Sequence, residues 1–211
     1  MRVNNKRSPF KGIIELPGTI EAENFDKGGE ESTFHDKDAI DQGATGYRTD
    51  NEGLDIISIT GGGYAVGNTI PKEWMEYTVN VTDPGLYAYE ATVSSTVAGS
   101  NFSIGLVNSD GTITNLAKVT IPNTGKNTYK VVTGNLGANL EAGEQILRFT
   151  INTALCNIDK VELKCIQSNG IGAITTDPSS DNAPLYTPAG VQVDYSYKGI
   201  VIKNGKKFWN K

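Results

Sequence analysis

One histidine and two cysteines among 211 residues leave little material for nucleophilic or thiolate chemistry. His35 sits in a polar stretch, Ser32-Thr33-Phe34-His35-Asp36, with no Gly-x-Ser-x-Gly and no cysteine nucleophile nearby. It reads as an exposed loop histidine, not a general base. Cys156 and Cys165 lie nine positions apart in a segment that reads as one strand. An extended strand rises ~3.3 Å per residue, which puts their Cα atoms roughly 30 Å apart, whereas a disulfide needs less than about 7 Å. Both thiols are therefore expected to be free. No run approaches the ~18 apolar residues of a membrane helix. The basic start, Met1-Arg2-Val3-Asn4-Asn5-Lys6-Arg7, is followed by no apolar stretch, so no signal peptide is read. Net positive charge is also lacking. At −5, with a pI near 5.0, the chain does not look like a nucleic-acid binder, whose affinity comes from phosphate contacts. The run Gly61-Gly62-Gly63-Tyr64-Ala65-Val66-Gly67 has neither the spacing of a phosphate loop nor a helix after it, and reads as a turn.

What is abundant is glycine, at 24 residues, and short β-rich runs set between Gly, Asn, Asp, Pro and Thr. The runs fall at residues 74–81, 86–93, 102–107, 113–121, 129–133, 145–151 and 157–163. Asp83-Pro84-Gly85 and Asn108-Ser109-Asp110-Gly111 supply turn chemistry between them. Many strands at this spacing predict an all-β sandwich or jelly roll. Residues 167–182 (QSNGIGAITTDPSSDN) hold no core strand and read as a linker. Residues 183–211 read as a β-hairpin tail, with Asn204-Gly205 as its turn. So short a piece cannot build an independent core.

Carboxylates are plentiful, but no pair stands out as the two that a glycosidase needs across a cleft. In Ile20-Glu21-Ala22-Glu23-Asn24-Phe25 the two glutamates of a strand would point to one side and repel. From spacing alone two readings stand: a solvated acidic face, or a site where a cation relieves the repulsion.

The order of several landmarks resembles carbohydrate-binding module family 6 and its near relative family 35. They are Ile20–Phe25, Gly46-Tyr47-Arg48, Leu54-Asp55-Ile56, Gly63-Tyr64-Ala65-Val66-Gly67, the run at 74–81 with Glu73 before it, and Gly85-Leu86-Tyr87. Pro122-Asn123-Thr124-Gly125, Leu140-Glu141-Ala142-Gly143, Leu147-Arg148 and Asn157-Ile158-Asp159 continue the series. The resemblance covers about residues 13–166, after an N-terminal extension at 1–12, and implies a galactose-binding-like jelly roll with a structural calcium. It implies Glu21, Glu23 and Asp159 as carboxylate ligands, completed by carbonyls of the loop at 41–47. It also implies a sugar site at the loop edge, where two aromatic rings sandwich a sugar and an asparagine bonds its hydroxyls.

The asparagine is present as Asn157, but the first aromatic position, six residues before Trp74, holds Asn68. The second is replaced by Lys126-Asn127-Thr128-Tyr129, where Tyr129 serves only if it turns outward. Tyr47, Arg48, Tyr64 or His35 could rebuild the edge site. Binding on the concave sheet face would use Trp74, with Glu76 nearby, and plain core packing is the other reading of Trp74. The tail, Gly190-Val191-Gln192-Val193 and residues 197–207, resembles the C-terminal sorting tails of exported Bacteroidetes proteins. The expectation is a non-catalytic, extracellular or surface-bound module. It would bind polysaccharide or oligosaccharide and hold an attached or partner glycoside hydrolase on it. A structural sandwich that contacts protein is the first alternative, and an autonomous hydrolase the second.

Overall fold

Period-two alternation builds this protein. In the run Gly85–Ser94 (GLYAYEATVS), Tyr87, Tyr89, Ala91 and Val93 are buried while the residues between them are half-buried, as a strand with one face on a core requires. The computed structural model describes residues 6–38, 40–50, 53–168, 184–203 and 206–210. Among them the chain forms β1 (Ile14–Leu16), β2 (Gly18–Glu21), β3 (Phe34–His35), β4 (Ile56–Ser58), β5 (Tyr64–Val66), β6 (Trp74–Val81), β7 (Gly85–Ser94) and β8 (Ser100–Val107). It continues with β9 (Ile113–Ile121), β10 (Lys130–Asn135), β11 (Gly143–Ile151), β12 (Asn157–Ser168), β13 (Leu185–Tyr186), β14 (Gln192–Val193), β15 (Gly199–Lys203) and β16 (Lys206–Asn210). The only helical segment among the described residues is a 3-10 turn over Ala22–Asn24.

The chain divides into two compact units, Met1–Gln167 and Ser168–Lys211. The first is a β-sandwich. One sheet runs β1-β6-β11-β8-β9 with β3 beside β6, and the other runs β10-β7-β12-β5-β4 with β2 beside β12. Met75, Tyr77, Val79, Phe102, Ile104, Leu147 and Phe149 of one sheet meet Val66, Tyr87, Ala91, Val93, Ile158, Val161 and Leu163 of the other in a single core. Burial of that apolar surface is the main stabilising term. The predicted runs at 74–81 and 113–121 coincide with β6 and β9, and the others differ by a few residues at their ends. Only the first half of the Gly61–Gly67 run is a turn. Gly61, Gly62 and Gly63 have φ of 101°, 110° and 95°, which folds Tyr64–Val66 back as β5 against β4.

Residues 6–12, read from the sequence as an extension, are integrated into the sandwich. Ser8 and Lys27 exchange backbone hydrogen bonds of 3.0 and 2.8 Å, and Arg7 pairs with Asp26 and Glu76. In the second unit the tail is more than a hairpin. It is a four-stranded antiparallel sheet in the order β14-β13-β15-β16, with Leu185 and Val201 buried. The Asn204-Gly205 turn and most of the linker at 167–182 lie outside the described residues. Cys156 and Cys165 are both free, as their spacing predicts.

Candidate functional site

At one end of the sandwich, loops from both sheets enclose a cavity of about 320 Å³. β4 contributes Ile57 and Ser58, and Asn68 follows β5. Ser94 ends β7, Thr96 follows it, Gly125-Lys126-Asn127 come from the β9–β10 loop, and Leu155 and Asn157 from the turn into β12. Local hydrogen bonds fix this wall. Thr69, fully buried, donates from Oγ1 to the Cys156 carbonyl (3.0 Å) and accepts from the Cys156 N–H (2.9 Å). The Leu155 N–H donates to the Thr69 carbonyl at 3.1 Å, while Thr124 N–H and Ser95 carbonyl tie the opposite loop at 2.9 Å. Asn157 Nδ2 donates to Ser94 Oγ at 3.2 Å, which orients the amide. A Cβ on Gly67 would sit 2.4 Å from Ile57 Cδ1 and 3.1 Å from Asn157 Oδ1, so a side chain there would displace the end of Ile57 beside the amide.

Three residues of this wall hold left-handed backbone: Asn68 (φ 49°), Asn127 (φ 53°) and Leu155 (φ 64°). Asparagine tolerates that region, but leucine does so at a cost, and such residues gather at binding sites. Three of the residues named from the sequence, Asn68, Asn127 and Asn157, therefore meet in one cavity. Their amides offer both donors and acceptors, the chemistry that satisfies hydroxyl groups. Sequence reasoning missed Ser58, Ser94, Thr96, Lys126 and Leu155. The Gly-Lys-Asn turn signal marked the Lys126 loop, but nothing in the sequence singles out Leu155.

None of the aromatic candidates lines the cavity. Tyr47 and Tyr64 stack with ring centroids 4.3 Å apart, and Tyr47 Oη donates to Asn24 Oδ1 at 2.7 Å. Arg48 is unsuited to a sugar contact. Its side chain is 1% exposed, clamped between the rings of Phe10 and Phe25 at 3.9 and 4.0 Å, and paired with Asp50 at 2.8 Å. Tyr129 does not turn outward as a platform. Its hydroxyl is buried beside Ser94, and burial pushes its pKa up to about 12. Trp74 is half-buried and is neither core nor open platform, because the Arg148 guanidinium covers its ring at 3.8 Å. Arg148 Nε also donates to Glu76 at 2.6 Å, and Glu76, only 1% exposed, holds Arg7 as well.

The expected metal ligands form an electrostatic group. Glu21 stands opposite Lys160 in the β2–β12 pairing, and Asp159 is the neighbour of Lys160 on β12. Burial raises the carboxyl pKa of all three, that of Glu23 to about 7, and the acids raise one another where they face each other. Glu23 Oε2 is buried with no hydrogen-bond donor. A buried carboxylate oxygen left in that state is costly, and a hard cation would satisfy it. Their ligand atoms are not gathered to within 4.8 Å of one another. Among the described residues the group that is so gathered is Glu30, Glu31 and His35, in which His35 Nδ1 contacts Glu30 Oε1 and lies 3.2 Å from Glu31 Oε1.

Residues 44–165 match the family model described as carbohydrate binding module (family 6). No curated protein sequence matches the chain significantly. Among solved structures, the C-terminal family 6 module of LamC, a marine laminarinase of Zobellia galactanivorans, is 24% identical with a TM-score of 0.52, over 69% of this chain and 97% of that one. CsCBM6-3 of Clostridium stercorarium, solved with cellobiose, is 20% identical with a TM-score of 0.52, over 73% and 98%. A β-1,3-glucan-binding module from Bacillus halodurans is 19% identical with a TM-score of 0.51, over 72% and 99%. At these identities the likeness is one of fold.

Proposed function

The chain belongs to carbohydrate-binding module family 6, and from that premise we propose that its loop-edge cavity binds a sugar of a polysaccharide and so holds an attached or partner glycoside hydrolase on that substrate. Modules of this family bind without catalysing. The observation that carries the reading is the presence of three asparagines in the wall of one cavity of about 320 Å³, within the usual size range of small-ligand pockets. Hydroxyl-rich ligands need such groups, since a buried hydroxyl without a partner costs about 1–3 kcal/mol. The covered ring of Trp74 speaks against the concave face as the main site.

We infer calcium as the ion for Glu21, Glu23 and Asp159: their hard oxygen donors include a buried and unsatisfied one, and the side chains would have to turn toward one another to share it. Bound there, calcium supplies charge neutralisation and a cross-link, not chemistry on the sugar. Glu21 ends β2, Glu23 lies in the 3-10 turn after it and Asp159 is on β12, the last strand of the sandwich, so the ion would join early and late parts of its chain. Export to the cell exterior, with the second unit as a sorting tail, completes the proposal. It rests on the resemblance of that tail.

Affinity electrophoresis against a panel of soluble polysaccharides tests the binding reading. At least one glycan should retard the wild type, and Asn157→Ala should weaken that retardation about fivefold or more. If no polysaccharide retards the protein, the alternative of a protein-contacting sandwich takes its place. Release of reducing sugar from any of them would favour a hydrolase.

A further inference from the structure

We propose that the loop-edge cavity selects an acidic sugar, one carrying a carboxylate or a sulfate ester, over its neutral counterpart. This rests on the reading of the cavity as a glycan site, and it names the class of glycan.

The lining is unusual for a site meant for neutral sugar faces. Neutral pyranose rings bind largely through their C–H faces on aromatic rings, and no aromatic side chain lines this cavity. Ile57 and the exposed Leu155 are its only large apolar groups. The apolar contact the cavity offers is limited to these two aliphatic side chains. Binding must then draw on polar contacts: Ser58, Ser94 and Thr96 hydroxyls and the amides of Asn68, Asn127 and Asn157. Neutral hydrogen bonds exchanged against water give little net affinity, whereas bonds to a charged group are roughly twice as strong.

Charge at the cavity has one sign. Lys126 is its only charged lining residue, and no aspartate or glutamate lines it. Among the described residues, Lys126 has no ion-pair partner, while Lys164 is held between Glu90 and Glu162. The loop that carries Lys126 is pinned on either side. Thr124 N–H bonds the Ser95 carbonyl, and the Gly125 N–H donates to Asn123 Oδ1 at 3.0 Å. The Lys126 carbonyl accepts from Thr128 Oγ1 at 3.3 Å. The left-handed turn at Asn127 follows directly. The loop backbone thus holds Lys126 in the cavity wall. Meanwhile the whole chain carries a net charge of −5. A polyanion is repelled by the molecule at large, so any preference for it has to come from this local cation.

The test uses the full chain at 0.15 M salt, by isothermal titration with paired oligosaccharides. One pair is a tetra-uronate and its carboxyl-reduced form, and the other a sulfated galactan tetrasaccharide and its desulfated form. At least one acidic member should bind about tenfold or more tighter than its neutral partner. Lys126→Gln should erase that difference, and Lys126→Arg should retain it. The pair that responds identifies carboxylate or sulfate as the anion. Equal binding of acidic and neutral members, lost in Asn157→Ala, overturns the acidic preference and leaves the glycan site standing. Acidic preference untouched by Lys126→Gln overturns the assignment to this cavity. Failure of every oligosaccharide and polysaccharide to bind overturns the underlying reading itself.

Discussion

Glu73, only 4% exposed just before β6, accepts a hydrogen bond from the Ile70 N–H at 2.8 Å, yet burial and the facing Asp36 push its carboxyl up to about 7. The protonated form is therefore favoured by folding. Its contribution is complete below the unfolded value near 4.5 and is lost as pH rises through about 7. Asp55, raised to about 6, acts in the same direction. The wild type should lose stability between pH 5 and pH 8. Glu73→Gln should lose less over that interval, by on the order of 1–2 kcal/mol, in urea titrations at each pH. An identical pH slope in the variant would remove Glu73 from the account. Asn157 was legible in the sequence because it sits in a landmark with fixed neighbours. Arg48 was not, because its partners Phe10, Phe25 and Asp50 come together only through the tertiary fold and convert a plausible sugar contact into a structural clamp.

Between elements, the junction that matters is β2 with its 3-10 turn against β12. The pairing places Glu21 opposite Lys160 and brings Asp159 to the acidic pair, so three carboxylates share one region with a single lysine beside them. A calcium ion held there should stabilise the folded state by mass action, about 2.7 kcal/mol at a hundredfold excess over Kd, or about 5–10 °C in Tm for a chain of this size. Chelation with EDTA should lower the Tm by that amount, and Glu23→Gln should make the Tm insensitive to EDTA. A chelator-independent Tm in the wild type would count against the ion. Strands such as β6 and β9 were readable from the sequence because their alternation and flanking turns are local signals. β5 was hidden behind Gly61-Gly62-Gly63, because three glycines mask the strand that their turn creates. The direction of Tyr129 depends on how the β9–β10 loop meets β7, which no local pattern encodes.

For the whole molecule, two sheets closing one core place a set of loops at one end, and those loops supply the asparagines, hydroxyls and lysine of the cavity. The all-β sandwich class followed from strand count and turn spacing. The composition of the cavity needed the three-dimensional fold, because its walls come from five separate segments between Ile57 and Asn157. The loop edge and the Trp74 face are distinct surfaces that can be told apart in one spectrum. Full-length protein labelled with nitrogen-15 can be titrated with the tightest-binding oligosaccharide while the side-chain amide, indole and arginine Nε resonances are followed. The side-chain amides of Asn68, Asn127 and Asn157 should shift together with ligand concentration, while the Trp74 indole and Arg148 Nε stay in place. Shifts confined to Trp74 and Arg148, or no shift at saturating sugar, would contradict a glycan site in the loop-edge cavity.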